Sequence, residues 1–184
     1  MRTLIVCLVG AVVAFARGRL SAQGVASCVM CPSTYIPASE VDAYERIGRA
    51  TGITDQQMRS VDLGKSNVQI ALVHRGRLDA PAPRSVAEHH LVSEVYYVLS
   101  GGGTNVTGPD IVGAEERPST DRAVQLLNGP GSNAAEIRNA SNHELAAGDV
   151  LVIPAGTGHQ FTKIDDHITY LMIRIGPVKV VPLK

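Results

Sequence analysis

The segment Glu88-His89-His90-Leu91-Val92-Ser93-Glu94 carries two imidazoles and two carboxylates within seven residues. Both are donor types that hold divalent transition metals. If the segment is extended, alternate side chains share a face. Glu88, His90 and Glu94 then point one way, and His89 points the other way unless a bulge intervenes. A further donor ends the stretch Pro154-Ala155-Gly156-Thr157-Gly158-His159, where proline and glycines predict a tight turn that releases His159 onto the start of a strand. Such donors converging from one face suit zinc, manganese or iron, with copper also in range.

The elements around these residues read as strands. Val68–His74, Val92–Leu99, Asp149–Pro154 and Ile168–Ile175 are short apolar runs punctuated by glycine and proline, which argues for an antiparallel sandwich or barrel. Ser100-Gly101-Gly102-Gly103 is expected to end the second strand. The stretch from Gly103 to Ala134 has little periodicity and predicts a long surface loop with one weak helix or strand. Ahead of the strands, Ser39 and Asp42 suggest a capping box. Val41, Tyr44 and Ile47 share a helical face, and Gly52 can end that helix. Leu63-Gly64-Lys65-Ser66 looks like the tail of a phosphate-binding loop, but Arg59 stands where the motif needs glycine, so a hairpin turn is expected.

Two segments resemble the paired signatures of the cupin superfamily. The first signature runs G-x5-H-x-H-x3-4-E-x6-G; His90, Glu94 and Gly101 reproduce its second half. The second runs G-x5-P-x-G-x2-H-x3-N; Gly148, Pro154, Gly156 and His159 fall at its spacings. Ala82, Glu88 and Lys163 depart from the pattern, in place of the opening Gly, the first His and the closing Asn.

The resemblance implies an all-β double-stranded β-helix, a jelly-roll barrel with one short N-terminal helix. It implies a divalent transition metal (iron, manganese or copper, with zinc as a further option) on His90, Glu94 and His159. The fourth donor is then Glu88 in register, His89 through a bulge, or water. Tyr96 shares parity with Glu94 and Phe161 with His159, so both are expected to wall the pocket, and His74 is a third pocket candidate. An inward Arg174 could meet a substrate carboxylate; a solvated strand end is the reading taken here.

The implied function is an oxidase or oxygenase acting on a small or carbohydrate-derived substrate. The alternatives are a metal-dependent isomerase or lyase, or a non-catalytic module that binds a ligand or sugar. A homodimer is compatible with such sheets.

Composition limits the partners. The chain of 184 residues is 45% hydrophobic, enough for one domain, and its 17 basic and 17 acidic side chains balance. Aromatics make up 4% and Trp is absent, which speaks against a stacking platform for nucleic acid.

Met1–Ala22 has a basic start, an apolar run from Leu4 to Phe15 and small residues at its end, the pattern of a secretory signal peptide. Its removal leaves 14 basic against 17 acidic side chains, since the first 22 residues hold three Arg and no acid. Neither nucleic acid nor, after cleavage, a membrane is an expected partner. The expected location is secreted or periplasmic; Val25-Ala26-Ser27-Cys28 also resembles a lipobox, which makes a lipoprotein the minor alternative.

The expected organisation is 1–22 as signal peptide, 23–60 as an N-terminal segment with the short helix, and 61–184 as the barrel. Cys28 and Cys31, spaced C-x-x-C, could form a local disulfide, bind metal or be redox-active, and the disulfide is preferred.

Overall fold

The computed structural model describes residues 28–176 together with Lys179. The signal-peptide and lipobox expectations lie outside the described residues, apart from Cys28. Cys28 and Cys31 form a disulfide with Cα atoms 5.9 Å apart, within the span such a bridge allows.

The one α-helix among the described residues, α1 (Ala38–Thr51), starts at Pro37 without a side-chain cap, so Ser39 does not serve as the cap residue expected of it. It ends at Gly52, whose left-handed backbone (φ 69°) donates its N–H to Gly48 O, as a glycine can without strain. Ile47 is 48% exposed and does not join the buried face. Gly48 is the buried contact instead: a Cβ there would come within 2.6 Å of Gln56 Nε2, which donates to Tyr44 O.

Strands make up the rest. β1 (Asp55–Asp62) and β2 (Asn67–Arg75) form an antiparallel hairpin across Leu63–Ser66, closed by Leu63 N–H to Ser66 O. β1 starts six residues before the barrel boundary expected at 61. The remaining strands are β3 (Val86–His89), β4 (Ser93–Gly108), β5 (Asp110–Val112), β6 (Glu115–Glu116), β7 (Gly131–Ala134), β8 (Glu136–Arg138), β9 (Ser141–Ala146), β10 (Val150–Ile153), β11 (Gly158–Lys163) and β12 (Ile168–Gly176).

β4 joins the two faces of the barrel. Its first half pairs with β12 and β10, and its second half pairs with β9 and β11. The glycines expected to end this strand instead let it bend. Gly101 has φ 70°, and a Cβ there would lie 2.0 Å from His167 O; one on Gly102 would lie 2.5 Å from Leu145 O. Only glycine lets the backbones approach so closely.

The stretch expected to be a surface loop supplies β4's end, β5, β6, a short π-helical turn (Val124–Asn128) and β7. β7 and β6 extend the second face beyond β3. Between the faces lies an apolar core that includes Ala71, Val73, Val98, Leu145, Ile153, Ile164, Ile168 and Met172. Tyr96, Phe161 and Tyr170 stand together within it, the two tyrosine rings 4.4 Å apart. The all-β jelly-roll expectation holds, with α1 packed on β1 and β2.

Candidate metal centre

β3 pairs with both β7 and β11, and within it Ala87 and His89 share the inward parity. The strand stops at His89, and His90-Leu91-Val92 lie outside any strand before β4 begins at Ser93. Alternation therefore does not run from Glu88 to Glu94: the break resets the register. Two backbone bonds fix this corner, from His90 N–H to Pro130 O and from Gly156 N–H to His89 O.

His89, Glu94 and His159 are thereby brought together, with one donor atom from each lying within 4.8 Å of the others. All three are buried, at 4%, 1% and 7% exposure. His89 Nε2 is 3.3 Å from Glu94 Oε1, and His159 Nε2 is 3.5 Å from Glu94 Oε2. His90 is not in this group. Its Nε2 lies 3.1 Å from Glu88 Oε2 and 3.3 Å from Glu116 Oε1, on the other side of β3. The expected set of Glu88, His90, Glu94 and His159 is thus split between two places, and the imidazole reserved for a bulge, His89, stands at the centre. The signature allows three or four residues between its second His and its Glu, and His89 has four. Ala87 then takes the first His position, which sequence reasoning had given to Glu88.

The donors fit a cation. His159 Nδ1 lies 3.2 Å from Thr157 O, an acceptor only, so Nδ1 carries the proton and the Nε2 lone pair faces the Glu94 carboxylate. Two electron-rich atoms facing each other in a buried site call for a positive charge between them, and a backbone carbonyl behind the imidazole is how metal-binding histidines are held. Burial lowers the His159 pKa to about 4, with the Glu94 charge opposing that shift, so the ring is neutral at physiological pH, as a ligand must be. Burial also acts against the Glu94 charge, but His89, His159 and Arg174 outweigh it and hold the carboxyl well below its usual range. Burial, then the charge of Glu94, pushes the Tyr96 phenol well up, and its O–H donates to Glu94 Oε2 at 2.8 Å.

The group opens into a cavity of about 160 Å³ whose walls include Asp55, Ala87, Tyr96, Arg117, Asn128 and Arg174. A neighbouring hollow of about 230 Å³ shares Ala87, Tyr96 and His159, and adds Phe161 and Asn105. Tyr96 therefore walls both spaces and Phe161 only the second. His74 faces elsewhere, beside α1, with its Nδ1 2.8 Å from Thr169 Oγ1. Arg174 is not solvated: it is 1% exposed, with Nε 3.2 Å from Glu94 Oε1 and a short bond from Nη2 to Asp55. Sequence reasoning missed Asp55, Arg117 and Asn128. The last two sit in the stretch without periodicity, which gave no signal for them.

No protein-family model and no curated protein sequence matches the chain. Solved structures do. A Bacillus halodurans protein is 15% identical over 80% of this chain and 84% of its own, with a TM-score of 0.43. DMSP lyase DddQ from Ruegeria pomeroyi is 14% identical over 80% of this chain and 67% of its own, with a TM-score of 0.44. A cupin protein from Bacteroides fragilis is 20% identical over 61% of this chain and 68% of its own, with a TM-score of 0.36. These likenesses stand beside the chain's own architecture and do not carry the assignment. The chain has the jelly-roll fold, and the two segments that resemble the cupin signatures are brought face to face around a buried His-Glu-His group.

Proposed function

We propose that the chain is a metal-dependent enzyme that acts on a small molecule by oxidase or oxygenase chemistry. The observation that carries this reading is the donor set: two imidazoles and one carboxylate gather at a buried point, and Ala87 stands where a fourth protein ligand would stand. His89, Glu94 and His159 would hold a divalent metal, which when bound would supply Lewis-acid or oxygen-activating chemistry. The protein's part is to hold His159 in one tautomer through Thr157 O and to fix Glu94 between Tyr96 and Arg174. The three donors are buried and line the cavity in which a small molecule would meet them.

Secretion, with extracellular carbohydrate-derived compounds as substrates, belongs to the same reading. The C-x-x-C pair Cys28 and Cys31, with Cα atoms 5.9 Å apart, is compatible with a bridge that an oxidising compartment would preserve.

The test is elemental analysis of protein purified without a histidine tag or chelator, followed by oxygen-uptake assays. About one equivalent of iron, manganese or copper, absent from the His89→Ala/His159→Ala double variant, supports the reading. No metal even after reconstitution sinks it.

A second reading, a metal-dependent lyase or isomerase, draws on Tyr96. Its phenol holds a proton at Oη inside the cavity, on Glu94, where a general acid would stand. One equivalent of zinc without oxygen uptake favours it.

A further inference from the structure

Five buried side-chain atoms without a hydrogen-bond partner belong to residues lining the metal cavity: Asp55 Oδ1, His89 Nδ1, Arg117 Nη1, Asn128 Oδ1 and Arg174 Nη1. Buried polar atoms are nearly always paired, so five in one small wall mark a place built to be filled by a polar ligand. Arg117 stands out among them. Its Nη2 donates to Glu88 O and to Ser132 O, both at 2.8 Å, and its Nε donates to Asn133 Oδ1 at 2.8 Å. Every one of these acceptors is neutral. Among the described residues no carboxylate oxygen lies within 4.0 Å of its guanidinium, whereas the charge of Arg174 is met by Asp55 and Glu94. Gly131 makes room for it, since a Cβ there would come within 2.6 Å of Nη1. Arg117 is thus a cation fixed by three bonds to neutral acceptors, with its remaining nitrogen, Nη1, without a hydrogen-bond partner.

The charges of the cavity point the same way. Its lining holds Arg75, Arg117 and Arg174 against Asp55 and Glu94, and a divalent metal would add to the positive excess. The cavity of about 160 Å³, beside a hollow of about 230 Å³ that shares Ala87, Tyr96 and His159, has room for a small molecule.

We propose that Arg117 is a specificity-determining residue that receives the carboxylate of a small substrate through Nη1, with Arg174 Nη1 as an additional donor in the same cavity. The proposal names the substrate class of the metal-dependent site and rests on that reading. Arginine suits the task because its planar fork keeps its charge and binds carboxylates directionally.

The experiment compares propionate with its neutral isostere propionamide by saturation-transfer NMR titration. It uses metal-loaded and chelator-stripped protein, with metal content measured in parallel. Wild-type protein is expected to bind propionate at least about tenfold more tightly than propionamide, the scale of one charge-assisted bond. Arg117→Gln should lose that preference while metal content stays unchanged, and Arg117→Lys should recover part of it. If Arg117→Gln does not fold, the isostere comparison on wild type and the Arg117→Lys titration decide.

Equal binding of the two probes by wild type overturns the proposal. So does a propionate preference that disappears with the metal and ignores Arg117→Gln, because the carboxylate is then a metal ligand only. A preference that depends on Arg117 in protein that takes up no metal upholds the anion site and removes the metal reading instead.

Discussion

Thr157 O accepts the Nδ1 proton of His159 at 3.2 Å, and this bond leaves the other ring nitrogen bare toward Glu94 Oε2, 3.5 Å away. The turn Pro154–Gly158 thus presents His159 and also selects its tautomer. Thr157 N–H closes that turn on Pro154 O, and Gly156 N–H ties it to His89 O. One short loop therefore positions both imidazoles.

Loss of either imidazole should abolish metal uptake. His89→Ala and His159→Ala are expected to fall from about one equivalent of metal to near none, measured by elemental mass spectrometry after reconstitution. His90→Ala and Glu88→Gln should keep the full equivalent, because their side chains meet each other on the other side of β3. Retained metal in His89→Ala, together with loss in His90→Ala, would overturn the assignment.

Arg174 and Glu94 form a buried pair, at 1% and 2% side-chain exposure. Removing one member strands the other charge away from water, so Arg174→Ala should cost about 3–5 kcal/mol in urea unfolding. An unchanged midpoint would show that the pair is not closed in solution.

Acid should destabilise the metal-free protein in a defined window. The folded pKa of His159 is lowered to about 4 from a reference of 6.5, chiefly by burial. Below 6.5 the unfolded chain therefore binds a proton that the native ring refuses, and stability falls with pH until about 4. Glu94 is likewise held low, against its own burial, by His89, His159 and Arg174, and it adds to the loss as pH drops below the ordinary carboxylate range. Each unmatched proton changes stability by about 1.4 kcal/mol per pH unit. Denaturation midpoints measured across this range should fall less steeply for His159→Gln than for wild type.

Gly101→Ala should damage the barrel without touching the metal residues. The position has φ 70°, and the new methyl would sit 2.0 Å from His167 O, where β4 crosses between the two faces. Backbone strain of this kind costs about 1–3 kcal/mol before the clash is counted, so a loss of about 3 kcal/mol or more is expected in chemical unfolding. Gly148→Ala has φ 93° and nothing within 4 Å of the added methyl, and it should cost less.

The strand pattern of β2, β10 and β12 was readable because period-two alternation and punctuating glycines are local signals. Glu94 and His159 were readable as donors for a related reason, since a carboxylate beginning one strand and an imidazole released by a proline–glycine turn are fixed by short spacings. The path of β4 was not readable. A run of three glycines looks like a stop, and only the neighbours His167 and Leu145, distant in sequence, show that it is a bend in a continuing strand.

Types and spacing along the chain therefore determined that this is a β-barrel with His and Glu donors carried on two paired motifs. Which imidazole faces inward was decided by tertiary structure: β3 ends at His89, where β7, β11 and the Pro154–Gly158 turn hold it, and strand parity does not survive a break. The place of Arg117 was decided the same way. No periodicity marks it, and its position comes from bonds to the backbone of β3 and β7, partners 29 and 15 residues away in the chain. Local sequence sets which face a residue takes within one strand, but the contents of a barrel's interior depend on how distant strands meet.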